Sequence, residues 1–366
     1  MEKIRIAQMR IGTGSVPLKQ PFVTALRRVD QLESIVVKLE DDEGYTGWGE
    51  TAPTEAITGQ GREMILADLR KITARIAGEG AQSLLAWNGW LKAILPDDPN
   101  ACSAVEIALY DLAAQRAGLS LVEYLGGEPR ALQTGITISL GTTAAMVASA
   151  REALEQGFDA LKIKLGDDPA KDLARVTAIA DAVAGRASLK LDANQGWSEE
   201  ETITFLQAIE KEGIAVDLIE QPLPREAIDG LVEVRRHTAI PILVDESVFS
   251  LADARRVLAA GAADCVNIKL DKTGGITEAL AIADLCEERG VACMMGCMLE
   301  GAVSVGAAAH VAAARPETIT MIDLDAPLLC AEQPVVGGVR FAGPKIEIPD
   351  RSGLGVDGIE TIQWRD

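Results

Sequence analysis

Apolar and charged residues alternate with a period of two in Leu161-Lys162-Ile163-Lys164-Leu165. Successive side chains of a strand point to opposite faces, so Lys162 and Lys164 share one face and the three aliphatic residues share the other. A half-buried strand could turn both lysines to water, but the flanks argue against that. Helical periodicity covers 144–156 before the strand and 169–184 after it, with Gly157-Phe158-Asp159 as a short turn. A strand between two helices belongs to a βαβ unit, whose parallel sheet is covered on both faces. The two lysines then point into a barrel or a crevice, where a lysine needs a reason to be.

The same texture extends from about residue 134 to 322. Strands are expected at 134–140, 160–165, 188–192, 217–220, 242–245, 265–270, 292–295 and 318–322. Helical patterns separate them, among them 199–211, 252–260 and 277–289, and the last helix is the weakest. Strands and helices in alternation imply a parallel α/β sheet with right-handed crossovers. Eight such units predict a TIM-type (β/α) barrel with its active site at the C-terminal strand ends. A doubly wound open sheet is the structural alternative.

The first third reads as α+β. Residues 1–10 alternate like a first strand, Ser34-Ile35-Val36-Val37-Lys38-Leu39 like a second, and Tyr45-Thr46-Gly47-Trp48-Gly49-Glu50 like a third after an Asp42-Glu43-Gly44 turn. Residues 21–28 form a mixed stretch too long for a tight turn and are expected to be a functional loop. Helical pattern then holds from 64 to 125, most strongly over 101–117, with Gly118 and Gly126-Gly127 as stops. The expected division is an N-terminal capping domain at 1–126, a catalytic barrel at 127–322 and a C-terminal segment at 323–366 that packs back on the capping domain.

Composition narrows the chemistry. The chain has 366 residues, 48% hydrophobic and 25% charged, with a net charge of −20, which disfavours nucleic acid or an anionic membrane as a partner. No apolar run approaches the ~20 residues that span a bilayer, and no leader-like N-terminus is evident, so a cytoplasmic protein is expected. The six cysteines form no CxxC pair and sit in apolar surroundings, which predicts no disulfide framework. With only two histidines, His237 and His310, proton transfer must fall to other groups.

Three consecutive strands end in an acid: Leu189-Lys190-Leu191-Asp192, Leu218-Ile219-Glu220 and Leu243-Val244-Asp245. Each acid alone could cap the helix that follows. On neighbouring barrel strands, however, the three converge and repel unless a cation neutralises them. Oxygen ligands suit a hard ion, Mg²⁺ or Mn²⁺, with positions left for substrate oxygens. The sixth strand, Val266-Asn267-Ile268-Lys269-Leu270, again ends in lysine, and second and sixth strands lie across an eight-stranded barrel from each other. Lys164 and Lys269 would then flank a ligand bound to the metal, with one removing a proton α to a carboxylate and the other returning it to the opposite face. Lys162 adds positive charge, and Lys162 and the metal together are expected to lower the pKa of the basic lysine. A Schiff-base lysine is the competing use, but it would not need three acids.

With Lys162-Ile163-Lys164, Asp192-Ala193-Asn194-Gln195, Glu220-Gln221-Pro222, Asp245-Glu246-Ser247 and Lys269 before Gly274-Gly275, the chain resembles the enolase superfamily in its muconate-lactonizing subgroup. The resemblance covers nearly the whole chain and implies a modified (β/α)7β barrel, a Mg²⁺-dependent isomerase and a homo-oligomer. It places Asn194 and Glu246 beside the metal ligands. Cycloisomerases, o-succinylbenzoate synthases and N-acylamino acid racemases share these motifs. Asp323-Leu324-Asp325 after the last strand looks like the acid pair with which dipeptide epimerases hold a substrate α-ammonium group. Arg27 matches a loop arginine that pairs with the substrate's side-chain carboxylate in L-Ala-D/L-Glu epimerases, and Thr137 matches a substrate-contacting threonine there. Met298 and Leu299 fall where relatives specific for cationic dipeptides carry an acid, which disfavours a Lys or Arg side chain. The resemblance thus implies epimerisation of murein-derived dipeptides at the second residue.

Overall fold

In the computed structural model, which describes residues 3–365, the N-terminal strands run longer than their hydrophobic pattern suggests. Met1 and Glu2, the start of the strand expected at 1–10, lie outside the described residues. Strands β1 (Ile6–Val23), β2 (Arg28–Asp41) and β3 (Thr46–Thr51) form an antiparallel meander. The expected functional loop at 21–28 is instead the tip of a hairpin. Phe22 pairs with Val29 and Val23 with Arg28, leaving a turn in which the Thr24 N–H donates to the Arg27 carbonyl at 2.9 Å. Pairing satisfies backbone groups that a loop would leave to water, and a register shift between Pro17 and Phe22 absorbs the prolines.

Five helices follow: α1 (Glu55–Thr58), α2 (Arg62–Ile76), α3 (Leu84–Ile94), α4 (Pro99–Ala117) and α5 (Leu121–Tyr124). Helix α4 starts with Asp98 accepting the Ala101 N–H, carries Pro99 in its first turn and stops at Gly118 with φ 67°. It packs directly against β3, where a Cβ on Gly49 would stand 1.8 Å from the Ala104 carbonyl oxygen. Gly49→Ala must therefore push backbone from backbone. We expect a loss of about 1–3 kcal/mol, read as a lower urea midpoint at unchanged slope.

After β4 (Leu132–Gln133) the barrel begins with β5 (Ile136–Ile138), α6 (Thr143–Glu155), β6 (Ala160–Lys164), α7 (Pro169–Val183) and β7 (Ser188–Asp192). It continues with α8 (Glu199–Glu212), β8 (Leu218–Glu220), α9 (Ile228–Arg236), β9 (Ile242–Val244), α10 (Leu251–Ala260) and β10 (Cys265–Ile268). The short α11 (Leu270–Thr273), α12 (Ile276–Arg289), β11 (Ala292–Gly296), α13 (Ala302–Ala314) and β12 (Ile319–Asp323) complete it. The eight strands are parallel neighbours in chain order, as the alternating pattern predicts. The first and last are drawn together by the Gly135 N–H, which donates to the Ile322 carbonyl at 3.2 Å. Outward residues such as Leu161, Ile163, Leu191, Ile219 and Val244 pack under the helices. The barrel floor is apolar, with Leu218, Leu243 and Met294 in one cluster. Above that floor the inward positions turn polar.

Beyond β12 lie α14 (Ala326–Leu329), β13 (Val335–Gly337), β14 (Arg340–Ala342), β15 (Lys345–Glu347), β16 (Val356–Ile359) and β17 (Gln363–Arg365). The last of these pairs antiparallel with β1, Ile11 opposite Arg365. All six cysteines are free. Among the described residues no helix is long and apolar enough to cross a membrane.

Candidate active site

Strand register sets the polar layer. Lys164 pairs with Asp192 and Asp192 with Glu220, so a lysine and two acids stand side by side at the C-terminal strand ends. Asp245 directly follows β9, and Lys269 directly follows β10. These groups are withdrawn from water: Lys162, Lys164 and Lys269 are 3%, 6% and 6% exposed, and the three acids no more than 1%. None of the acids caps a helix. Helices α8 and α10 are capped by Ser198 and Ser250, and α9 has no side-chain cap.

Lysines interleave with the acids. Lys162 Nζ lies 2.8 Å from Asp323, 2.8 Å from Glu220 and 3.2 Å from Asp192. Lys164 Nζ donates to Asp192 at 2.5 Å, and Lys269 Nζ donates to Asp245 at 2.7 Å. Each carboxylate is thus drawn to an ammonium, and among the described residues no three acid, histidine or cysteine side chains are turned toward one another as a metal ion would hold them. The lowering expected from Lys162 and the metal together is opposed by the chain's own carboxylates. Burial opposes the charge on Lys162, but Asp323, Glu220 and Asp192 outweigh it and hold the pKa well above its ordinary value. Lys269 is likewise held up, burial being overcome mainly by Asp245. Asp192 and Asp245 move down, because their lysines outweigh burial, whereas burial and Asp192 push Glu220 up.

Several supports escaped the sequence reading. Asn267 Nδ2 donates to Glu220 Oε1 at 2.8 Å. Gln221 Oε1 accepts the Asp245 and Ser247 N–H groups at 2.9 and 3.1 Å, tying the loop after β8 to the loop after β9. Lys272, fully buried, stands 2.5 Å from Asp245 Oδ1. Lys190 is an inward lysine on β7 that the period-two rule could have found. Asn194, Gln195 and Gln221 adopt positive φ of 45°, 67° and 34°, so the chain turns sharply after two of the acids, in a conformation that costs non-glycine residues energy. The Asn194 N–H donates to Asp192 Oδ1 at 2.9 Å. Yet Asn194 Oδ1, both Glu246 oxygens, Glu220 Oε2 and Asp245 Oδ1 accept no aligned hydrogen bond although they are buried. Burial and Asp245 push Glu246 up to about 8.

Most of these groups open onto a cleft whose empty space, counted out into open solvent, is about 580 Å³. Its floor includes Lys162, Lys164, Lys269, Asp245, Glu246 and Asn194, and Asp323 and Asp325 form one side. Asp325 is oriented by the Thr137 N–H, which it accepts at 2.7 Å. The hairpin tip covers the mouth with Phe22, Thr24, Leu26 and Arg27, facing Ile57, Cys297, Met298, Leu299 and Leu329. Of the candidate site residues singled out in the sequence, all but Asp192 and Glu220 line this one space, and those two contact Lys162, which lines it. Phe22, Ile57 and Leu329 carried no local signal, since only docking of separate segments makes them neighbours. Arg27 is half-buried and has no ion-pair partner among the described residues, and burial lowers its pKa. Two inward lysines from opposite strands, an oxygen-rich acid set and a waiting guanidinium suit proton transfer on a carboxylate-bearing substrate.

Residues 6–126 match the N-terminal domain of mandelate racemase / muconate lactonizing enzyme, and residues 145–361 match the enolase C-terminal domain-like family. Over 355 residues the chain is 43% identical to the L-Ala-D/L-Glu epimerase of Clostridium acetobutylicum, covering 97% of this chain and 99% of that one. A substrate-liganded structure of the L-Ala-D/L-Glu epimerase from Bacillus subtilis superposes with a TM-score of 0.91 at 40% identity, covering 97% and 99%. A dipeptide epimerase from Cytophaga hutchinsonii, complexed with Mg and the dipeptide D-Ala-L-Val, superposes with a TM-score of 0.94 at 32% identity, covering 99% of each chain.

Proposed function

The chain belongs to the mandelate racemase / muconate lactonizing enzyme family of the enolase superfamily, and on that premise we propose that it is a Mg²⁺-dependent dipeptide epimerase. It acts by 1,1-proton transfer at the α-carbon of the second residue, with L-Ala-D/L-Glu as the preferred pair and murein-derived dipeptides as the source. The curated and structural relatives support the reaction, and the Arg27 guanidinium in the cavity, without an ion-pair partner among the described residues, supports an acidic side chain. A planar fork of donors suits a carboxylate, and a half-buried charge gains most from an opposite one. Residues 1–126, 127–322 and 323–366 serve as capping domain, catalytic barrel and returning segment.

Asp192, Glu220 and Asp245 would hold the metal. Their oxygens are hard donors that now face lysine ammonium groups, and beside them Asn194 Oδ1 and both Glu246 oxygens are buried without a hydrogen bond. When bound, the ion supplies positive charge that stabilises the negative charge developing on the substrate carboxylate as the α-proton leaves. Lys164 Nζ takes or gives the proton on one face of the α-carbon, and Lys269 Nζ does so on the other. Lys162 adds positive charge beside the substrate carboxylate. Asp323 and Asp325 receive the α-ammonium group, Thr137 orients Asp325, and Met298 and Leu299 line the side-chain end.

Incubating L-Ala-L-Glu with enzyme and Mg²⁺ in D₂O tests the reading. Deuterium should enter at the glutamate α-carbon as the D epimer accumulates, and absence of exchange would end the idea. Arg27→Met should lower kcat/KM on this dipeptide by about 10- to 100-fold, the worth of a hydrogen-bonded charge pair, and spare dipeptides with an apolar second residue. The apolar walls Leu26, Ile57, Met298 and Leu299 favour a second reading, an apolar second residue, which the same pair of assays decides.

A further inference from the structure

We propose that Glu50, which does not line the active-site cavity, is a positioning residue that sets selectivity for the substrate side chain by capping a barrel helix from the N-terminal sheet. This rests on the dipeptide reading above. Helix α13 begins after Gly301, which has no side chain to cap it. Its first-turn donors are taken instead by Glu50 Oε2, which accepts the Val303 N–H at 3.0 Å and the Ser304 N–H at 3.2 Å, across 253 and 254 residues. A carboxylate is well suited there, since the first turn of a helix offers free N–H groups and the positive end of the dipole.

The contact reaches both walls of the cavity. Toward the sheet, Glu50 Oε1 accepts the hydroxyl of Ser34 on β2, the strand that leads out of the Arg27 hairpin tip. Toward the barrel, the Ser304 hydroxyl donates to Glu300 Oε2, and Glu300 Oε1 accepts the N–H of Met298. Ser34, Glu50, Ser304, Glu300 and Met298 thus form one buried run of hydrogen bonds. It links the strand behind Arg27 to the wall formed by Met298 and Leu299. Closely packed elements transmit displacement rather than absorb it, so moving one end of the run alters the spacing of the two walls. Docking itself has a separate tie. Asp271 accepts the Thr51 hydroxyl at 2.8 Å and the Ala52 N–H at 3.1 Å at the end of β3, the strand that carries Glu50. Loss of Glu50 therefore shifts the walls without releasing the sheet.

Gly301 supplies an independent handle. A Cβ there would lie 2.0 Å from Glu50 Oε1, although the backbone, at φ −77° and ψ 179°, is one that any residue adopts. The three atoms nearest that Cβ all belong to the Glu50 carboxylate, so alanine at 301 strikes Glu50 first.

The test measures kcat and KM on L-Ala-L-Glu and L-Ala-L-Leu for wild type, E50A, E50Q, G301A and the E50A/G301A double variant. E50A and G301A should each change the ratio of kcat/KM on the two dipeptides by about tenfold, through KM, while kcat on the preferred dipeptide stays within about threefold. E50Q, which keeps an acceptor oxygen, should hold the wild-type ratio. In the E50A background G301A should add nothing, because the oxygen it strikes is gone. An unchanged ratio in E50A and G301A, or an equal effect of G301A with and without Glu50, overturns the inference. Should E50A not fold, S304A must shift the ratio in the same direction, and its failure to do so counts equally against it. Wild type inactive on both dipeptides would overturn the epimerase reading and this inference with it, whereas active wild type with an unmoved ratio overturns this inference alone.

Discussion

Replacing Lys164 or Lys269 with alanine should lower epimerisation of L-Ala-L-Glu by roughly 10²- to 10⁴-fold, the range removed with a positioned acid or base. The two variants should differ in what they retain. Strands β6 and β10 are separated by three strands in the barrel sheet, so their lysines approach the α-carbon from opposite sides. Each variant keeps one lysine and should still exchange the α-proton of one stereoisomer with solvent while losing the other. Deuterium exchange on L-Ala-L-Glu and L-Ala-D-Glu, measured separately, reads this directly. Equal exchange on both isomers in Lys164→Ala would remove the one-base-per-face assignment. Lys162→Met should lower both directions alike, because its charge faces Asp323, Glu220 and Asp192 rather than one face of the substrate.

Chelation is expected to abolish activity and to leave a folded chain that Mg²⁺ restores. The stronger readout is independent of turnover. A ligand that binds only the native state adds about 2.7 kcal/mol at a concentration 100 times its Kd, so Mg²⁺ should raise the unfolding temperature in a concentration-dependent manner. Asp192→Asn, Glu220→Gln and Asp245→Asn should each remove most of that rise, together with the binding heat in calorimetry. Asp245→Asn should also destabilise the metal-free chain, since Lys269 and Lys272 would lose the carboxylate that faces them. A Mg²⁺-induced rise that survives all three substitutions would place the metal elsewhere.

The parts of the site that were legible in the sequence are those written in the local alternation of a strand. Lys162 and Lys164 sit two apart, as do Lys190 and Asp192, so a strand assignment alone fixes their face. Acids at the ends of consecutive strands needed only one further step, the parallel neighbour order of a βαβ chain. Strand ends were less legible: Asp245 and Lys269 lie one residue past their strands, at turns into the next segment. The 21–28 stretch was misread because its pairing depends on a partner strand and on a shifted register, neither of which shows in its own pattern.

By itself, then, the sequence determined the barrel, the inward lysines and acids, and the family to which they point, because side-chain direction follows from backbone period and neighbouring strands follow from order along the chain. Only the tertiary structure decided which charges pair, that the neighbouring carboxylates hold the pKa values of Lys162 and Lys269 up, and that Arg27, without an ion-pair partner among the described residues, lines the same cavity as Met298 and Leu299. It alone disclosed Asn267 on Glu220, Thr137 on Asp325 and Glu50 on the first turn of α13. Those contacts join residues 47, 188 and 253 positions apart, and no local periodicity encodes them. They arise when two sheets and a ring of helices are docked, and burial then makes each unmatched charge or hydrogen bond matter.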